Sequence, residues 1–223
     1  MLFVEQKELV LPGTLLTDND YKLGRNTFKQ KDKIYSDITG LAYFNSDNVT
    51  VIPLNYKYEP QYGDLIIGKV LSSSYSSWSI DLNSTYNGFL PTTELYDKNE
   101  QNLSSIINVN DKLLLRVAHV DEIKRVKLTI RSQGLGKFNQ GVIIRVKQPT
   151  IHFLSEENAF LASMIRECTG SDIIIGKNGL IWINGRSEEI EKIIKIIEYI
   201  DERPFQHNLI KSVQNIIATK LII

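Results

Sequence analysis

The sequence predicts a multidomain protein with a small all-β N-terminal domain, a β-barrel and a C-terminal α+β domain. In the first segment, short β-favouring runs are separated by turn residues such as Pro12-Gly13, and no stretch has a helical period. Five further short strands, with turns between them, are typical of a small barrel. From Ile190 to Ile200, isoleucines recur at helical spacing and predict one apolar helix face.

The first domain covers residues 1–58 and is predicted to contain only short strands. The clearest β-favouring runs are Leu9–Leu11, Ile34–Tyr35, Leu41–Phe44 and Val49–Ile52. A basic stretch with little acid in it contains Lys22, Arg25, Lys29, Lys31 and Lys33. This stretch could face RNA or the acidic surface of a partner protein, and the sequence does not decide between them.

The second domain covers residues 59–137 and is predicted to be the barrel. Its strands are Leu65–Leu71, Trp78–Leu82, Phe89–Pro91, Lys112–Val120 and Val126–Arg131. In the second of these strands, apolar and polar residues alternate with period two, as expected for a half-buried strand. Gly134-Leu135-Gly136 is the predicted hinge to the next domain.

The third domain covers residues 141–223 and mixes helices with strands. After a strand at Gly141–Lys147, Ser155 and the two glutamates that follow it predict the start of a helix that runs to Glu167. A strand, a turn and a strand follow at 173–183. A helix capped by Ser187 then continues to about residue 202, and a last helix covers about 208–219. This order predicts helices against one face of a three-stranded sheet.

The charge balance excludes a strongly basic nucleic-acid binder. Lys plus Arg and Asp plus Glu each total 26, so the net charge is zero. Many nucleic-acid binders carry a basic excess, because counterion release supplies most of their non-specific affinity. Any RNA contact must therefore come from local patches or from a larger assembly, and neutrality mildly favours a chain that works in a complex.

Signals for catalysis, cofactors and membranes are poor. The three histidines, His119, His152 and His207, are scattered without metal-ligand spacing, so we expect no catalytic residue, no metal site and no cofactor. The single Cys168 cannot form an internal disulfide, which favours the cytoplasm. The start, MLFVEQKELVLPG, does not have the regions of a signal peptide, and no apolar run is long enough to span a bilayer.

The motifs of the chain resemble a known family when they are taken in order. GDLIIGKV, WSIDL, NGFLPTTEL and NDKLLLRVAHVDEIKRVKLTIR follow the order of an S1-type OB barrel, and the third domain follows the order of a KH domain. With LVLPGTLL and KIYSDITGLA before them and GKNGLIWING after them, these motifs resemble the KH-containing RNA-binding cap subunit of the archaeal exosome. The resemblance covers nearly the whole chain.

This resemblance implies a non-catalytic role. It implies that further copies of the chain form a trimeric cap on the hexameric ring of phosphorolytic exosome subunits. There the cap would guide the 3′ ends of single-stranded RNA inward.

The barrel is the better candidate for RNA contact, because OB-type barrels stack bases on aromatic rings and steer phosphates with cations. The candidate residues are Tyr75, Trp78, Arg116, Lys124, Arg125 and Lys127. Trp78 could equally be a core residue, and Phe89 is interpreted as core. The cations could also form a solvated face, since acidic residues lie beside them in the sequence.

The segment Gly176, Lys177, Asn178 and Gly179 permits two interpretations. It has the spacing of the GXXG loop with which KH domains grip RNA. The strands predicted on both sides favour a structural hairpin instead, in which Asn178 and Gly179 supply positive φ. By segment order the grip position is 155–158, which contains no glycine and has two glutamates at its centre. These residues disfavour phosphate binding by this domain.

Three other functions are compatible with the sequence. The chain could be a stand-alone S1–KH RNA-binding protein of translation or RNA folding, which monomeric behaviour beside a purified ring would favour. It could be a purely architectural subunit, as the altered grip position suggests. A free-standing ribonuclease would require a catalytic site that the sequence does not reveal.

Overall fold

The computed structural model describes residues 2–18, 21–45, 47–54, 57–94, 107–157, 159–203 and 209–220. The chain divides into two compact units, residues 1–56 and 57–223. This boundary lies two residues before the predicted one, because Tyr58 is buried in the barrel core. The Tyr58 hydroxyl donates to the Asp64 carboxylate at 2.6 Å. Burial and this carboxylate raise the pKa of the Tyr58 phenol above its usual range.

The first unit contains only strands in its described part. They are β1 (Leu9–Val10), β2 (Leu15–Thr17), β3 (Lys22–Leu23), β4 (Thr27–Gln30), β5 (Lys33–Ser36), β6 (Gly40–Phe44) and β7 (Asn48–Pro53). They form one sheet in the order β1-β6-β7-β3 and another in the order β2-β5-β4. Lys31 and Asp32 both have positive φ in the two-residue turn between β4 and β5, as tight hairpins require.

The barrel begins the second unit. Its strands are β8 (Leu65–Ser73), β9 (Ser77–Asp81), β10 (Asn87–Pro91), β11 (Lys112–Val120) and β12 (Val126–Thr129), and a short β13 (Gly136–Lys137) pairs with β11. The strand β12 closes the barrel, because it pairs in parallel with β10 and antiparallel with β11. This connectivity is that of an OB barrel.

The rest of the second unit is an α+β layer. Its elements are β14 (Val142–Arg145), α1 (Gln148–His152), α2 (Ala159–Thr169), β15 (Asp172–Gly176), β16 (Leu180–Asn184), α3 (Ser187–Glu202) and α4 (Leu209–Lys220). The sheet has the order β14-β16-β15, and buried residues of the helices and strands share one core. The βααββα order ahead of α4 is that of a KH domain.

The helix predicted to start at Ser155 starts earlier. The chain is helical from Gln148, where Pro149 lies in the first turn, and one π-helical turn follows α1 at 153–157. Ser155 is not an N-cap, since its hydroxyl donates to the Ile151 carbonyl oxygen at 2.7 Å. Proline at a first helical turn explains the difference, because its fixed φ and missing N–H suit that position. In α3, the N-cap is Arg186 and not Ser187.

The barrel and the KH layer are joined through the side chain of Asn178, which is completely buried. Its Nδ2 donates to the carbonyl oxygens of Ile67 and Leu82 at 2.7 and 2.8 Å, and its Oδ1 accepts from the Ile67 N–H at 3.2 Å. The N–H of Lys177 donates to the Leu65 carbonyl oxygen at 2.8 Å. One side chain therefore satisfies three backbone groups of the barrel.

The turn that carries Asn178 is a three-residue loop between Gly176 and Leu180. The hairpin predicted here is present, but positive φ was expected at both Asn178 and Gly179, and of the two only Gly179 has it, at 79°. In a three-residue hairpin loop, only the last residue needs the left-handed region. A Cβ atom on Gly176 would lie 2.6 Å from Asn178 Oδ1, so glycine leaves the room that the amide needs.

Replacement of Asn178 by alanine should lower the free energy of unfolding by about 2–4 kcal/mol, because buried backbone groups lose their partners. Chemical denaturation followed by fluorescence measures this change. The matched control is Asn87→Ala on β10, where the side chain is exposed and a change below about 0.5 kcal/mol is expected. Equal stabilities of the Asn178→Ala and wild-type chains would contradict the assignment.

Candidate nucleic-acid interface

The outer face of the barrel is formed by alternate residues of β9, β10 and β12, whose other residues fill the core. On β10, Gly88 and Leu90 face inward, while Phe89 faces outward with 36% of its surface exposed. A Cβ atom on Gly88 would lie 2.7 Å from a Leu128 methyl carbon, so only glycine fits there. The interpretation of Phe89 as a core residue is therefore wrong.

Strand register places polar and cationic side chains beside Phe89. Phe89 pairs with Ser79 on β9 and with Lys127 on β12, and Lys127 pairs with His119 on β11. We call these four outward-facing residues the Phe89 row. Because neighbouring strands lie about 4.8 Å apart, the row is roughly 14 Å long. Neither Phe89 nor His119 was among the residues predicted to contact RNA. The available signal in the sequence was Gly88. Because Gly88 faces inward, its neighbour Phe89 on the same strand faces outward.

Trp78, predicted as an RNA contact, is only 1% exposed and lies in the barrel core. Its neighbours Ser77 and Ser79 are half-buried on the outer face, so the alternation of the strand directs Trp78 inward. A ring in this position cannot stack on a base. The prediction of an RNA contact is wrong for this residue, and the core alternative is correct.

Tyr75 is fully exposed in the loop between β8 and β9. The N–H of Thr92 donates to the Ser76 carbonyl oxygen at 2.9 Å, which holds this loop beside the end of β10. The turn that contains Lys124 precedes β12. The first residue of β12, Val126, pairs with Gly88 near the start of β10. The structure therefore places Tyr75 and Lys124 at opposite ends of the outer face and does not bring them together.

Three of the four predicted cations lie close together. Lys124 and Arg125 are exposed in the turn between β11 and β12, and Lys127 is two residues farther along β12. No ion pair within the described part of the chain involves any of these three side chains. Arg116 is engaged elsewhere, because its Nη1 donates to the Gly63 carbonyl oxygen at 2.7 Å. The cationic cluster therefore consists of Lys124, Arg125 and Lys127.

The backbone of Lys124 is in the left-handed region, with a φ of 61°. The Asp121 carboxylate accepts the Arg125 N–H at 2.7 Å, and the Asp121 carbonyl oxygen accepts the Lys124 N–H at 3.0 Å. These bonds hold the turn in shape. A residue with a β-carbon is about 1 kcal/mol less stable than glycine in this conformation. The turn is therefore less stable with Lys124 than it would be with glycine.

The predicted KH hairpin does not present its central side chain to solvent. Gly176, Asn178 and Gly179 are buried, and Lys177 is half-buried. At the grip position, Ser155 lies in the π-helical turn. Asn158 and the side chains of Glu156 and Glu157 lie outside the described residues.

Within the described residues, His, Cys, Asp and Glu form no group of three or more that could hold a metal ion. In the same part of the chain, no helix has the length and apolarity needed to cross a membrane.

Comparison with known proteins identifies the family. A protein of Methanosphaera stadtmanae named exosome complex component Rrp4 is 71% identical over 218 residues, which cover 97% of this chain and 98% of that protein. This chain belongs to the Rrp4 family. Rrp4 of Methanobrevibacter smithii is 39% identical over 96% of this chain and 72% of its own length. Rrp4 of Pyrococcus furiosus is 33% identical over 99% of this chain and 86% of its own length.

A family model agrees with membership of the Rrp4 family, and a solved structure supports the fold. The family model of the exosome RNA binding protein RRP4 N-terminal domain matches residues 7–55. A crystal structure assigned to an exosome complex RNA-binding protein superposes with a TM-score of 0.65 and 24% identity, over 74% of this chain and 97% of that one. The resemblance drawn from the motifs and the predicted fold class are both confirmed.

Replacement of Lys124 by glycine should raise the free energy of unfolding by about 0.5–1 kcal/mol and weaken RNA binding, because it relieves the backbone and removes a cation. Lys124→Ala is the matched control, since it removes the same charge but keeps a β-carbon. Thermal unfolding and RNA titration of both variants test this. If the glycine variant gained no stability over the alanine variant, the proposed strain would be absent.

Proposed function

We propose that this Rrp4 family member is a non-catalytic RNA-binding cap of the exosome. It captures single-stranded RNA and guides the 3′ end into the hexameric phosphorolytic ring, which carries out the degradation. The observation that carries the proposal is the cationic cluster of Lys124, Arg125 and Lys127 on the outer face of an OB barrel. Cations on such a face that take part in no ion pair within the described residues attract phosphates, whose bound counterions are released on contact.

Repetition of this barrel face in the assembly compensates for the zero net charge. With three copies in a cap, a strand that contacts one barrel meets the next at a high effective concentration. Modest cationic contacts then add up to useful retention without a strongly basic chain. The N-terminal unit and the KH layer would hold each copy against its neighbours and the ring subunits. The single cysteine is compatible with the reducing cytoplasm, where we place this work.

The effect on RNA decay tests the proposal directly. A labelled poly(A) RNA is incubated with the purified phosphorolytic ring, with and without this chain, and with the chain alone. We expect faster or more processive decay only in the mixture. An unchanged rate would remove the loading role and favour a stand-alone or architectural protein. Decay by the chain alone would contradict the non-catalytic assignment.

Charge reversal of Lys124 and Lys127 to glutamate should weaken RNA capture by the assembled complex at least about tenfold, because phosphate contacts become repulsive. The matched control reverses Lys69 and Lys112, an exposed pair on β8 and β11, and so changes the net charge equally. RNA retention and co-elution with the ring are measured for both variants. Equal weakening by the two variants would show that only overall charge matters.

A further inference from the structure

The segment that connects the barrel to the KH layer is bonded to both of them. The predicted hinge ends in β13, whose two residues pair with β11 of the barrel. We call residues 136–141, which run from β13 to the start of β14, the strap. Because its first residues are paired in a sheet, the strap does not behave as a flexible linker.

At the barrel end, backbone and side-chain contacts hold the strap against β11. Lys137 pairs with Leu113, and the Phe138 N–H donates to the Lys112 carbonyl oxygen at 2.9 Å. The Lys137 ammonium lies 2.7 Å from the Asp111 carboxylate, and these side chains are only 35% and 17% exposed. Water screens such a pair less than it screens a fully exposed one. The strap is therefore fastened to the barrel before it reaches the KH layer.

At the other end, Trp182 of β16 holds the strap. Its ring stacks on Phe138, with the centroids 4.7 Å apart and the planes at 21°, and its Nε1 donates to the Gln140 carbonyl oxygen at 2.8 Å. Gly141 has a φ of 103°, and a Cβ atom there would lie 2.5 Å from Trp182 Nε1. Only glycine lets the strap pass this close to the indole. One side chain of the KH sheet therefore contacts the strap at three positions.

The strap gives the hairpin of β15 and β16 a second attachment to the barrel. Ile181 and Ile183 are buried in the core beneath the sheet, so Trp182, between them, points to the opposite face. Asn178, two residues before β16, bonds to Ile67 of β8, while Trp182 reaches β11 through the strap. The strands β8 and β11 are neighbours in the barrel. One contact sets the register between the layers, and a second resists rotation about the first.

We infer that Trp182 and Phe138 are positioning residues, which act through the strap and, with Asn178, keep the outer barrel face in a fixed direction relative to the KH layer. The inference rests on the proposed function, in which the KH layer helps to anchor the chain and the barrel delivers RNA to the ring. A barrel held by Asn178 alone still binds RNA, but it presents the 3′ end to the ring in the productive direction less often.

Amide hydrogen exchange of the full chain measures how often the barrel and the KH layer separate. The Ile67 N–H, bonded to Asn178, and the Lys177 N–H, bonded to the Leu65 carbonyl oxygen, lie between the two layers. Phe138→Ala should raise the exchange rates of both amides about 3- to 10-fold, the factor that loss of one aromatic pair implies. Amides of the β9–β10 pair should keep their wild-type rates, which shows that the barrel of the variant is folded.

Further variants assign the effect to the aromatic stack. Phe138→Tyr keeps the stack and should keep the wild-type exchange rates. Trp182→Phe keeps a ring but loses the bond to the Gln140 carbonyl oxygen, so it should raise the rates less than Phe138→Ala does. The matched control is Phe28→Ala in the first unit, because Phe28 stacks on Tyr35 with the centroids 5.5 Å apart and the planes at 19°. It removes the same kind of aromatic pair and should leave both interface amides unchanged.

Delivery of RNA is measured separately from its binding. The chain is assembled with its ring, titrated with a labelled poly(A) RNA, and then supplied with phosphate so that decay begins. We expect Phe138→Ala to bind the RNA with wild-type affinity but to lose part of the gain in processivity that the wild-type chain gives the ring. Phe138→Tyr should restore that gain. A residue with only a structural role would not separate affinity from processivity in this way.

Each outcome decides either the positioning role or the proposed function. Wild-type exchange of both interface amides in Phe138→Ala would show that the strap does not join the layers. Raised exchange with unchanged RNA decay, or a loss of RNA affinity as large as the loss of processivity, would overturn the positioning role while the proposed function survived. If the wild-type chain itself did not stimulate the ring, the proposed function would fail, and with it the delivery that these residues are inferred to direct.

Discussion

The amide of Asn178 connects the two halves of the second unit, and the arrangement of the candidate surface depends on it. Both carbonyl oxygens that it bonds and the Ile67 N–H belong to the barrel, while its own backbone belongs to the KH sheet. Unpaired backbone groups in a buried site are costly, so the barrel and the sheet are stabilised only when they meet in this register. The direction of the outer barrel face relative to the KH layer is fixed as a result.

The same connection determines what the hairpin of the KH layer can contact. A hairpin that ends in a buried asparagine is occupied by the protein's own barrel and is not open to a nucleic acid. Its neighbour Asn83 strengthens the arrangement, since it donates to the Asn178 carbonyl oxygen at 2.7 Å and accepts from Arg145. On the barrel, by contrast, the strand pleat sorts side chains into a core and an outer face that is open to solvent.

Much of the fold could be predicted from the sequence, because turn residues and period-two alternation mark the barrel strands directly. The orientation of Phe89 on β10 could not, since Phe89 and Leu90 are adjacent apolar residues and alternation does not say which of them faces inward. For Phe89 the deciding residue was Gly88, whose missing side chain makes room for Leu128. The start of α1 was missed because the acidic residues after Ser155 resemble a helix start more strongly than Pro149 does.

The candidate surface was predictable only in part, for a different reason. Charge runs identify cations but not their partners, and only the structure separates Arg116, which is bonded to the Gly63 carbonyl oxygen, from the cationic cluster. The role of Asn178 was also beyond sequence reasoning, because its bonds join residues about a hundred positions apart in the chain. Local patterns reveal the hairpin but not what its tip contacts.

The Asn178-Gly179 pair also has a consequence for the lifetime of the protein. An asparagine followed by glycine is chemically fragile, because the glycine nitrogen can attack the side-chain amide carbon and expel ammonia. Here the amide is held at both ends, and the Gly179 N–H is bonded to the Gly176 carbonyl oxygen at 3.3 Å. The folded interface therefore protects this pair. Each transient separation of hairpin and barrel exposes the pair to deamidation, and the resulting aspartate has no donor for the barrel carbonyls. Deamidation at this pair would then be set by how often the interface opens and not by global unfolding.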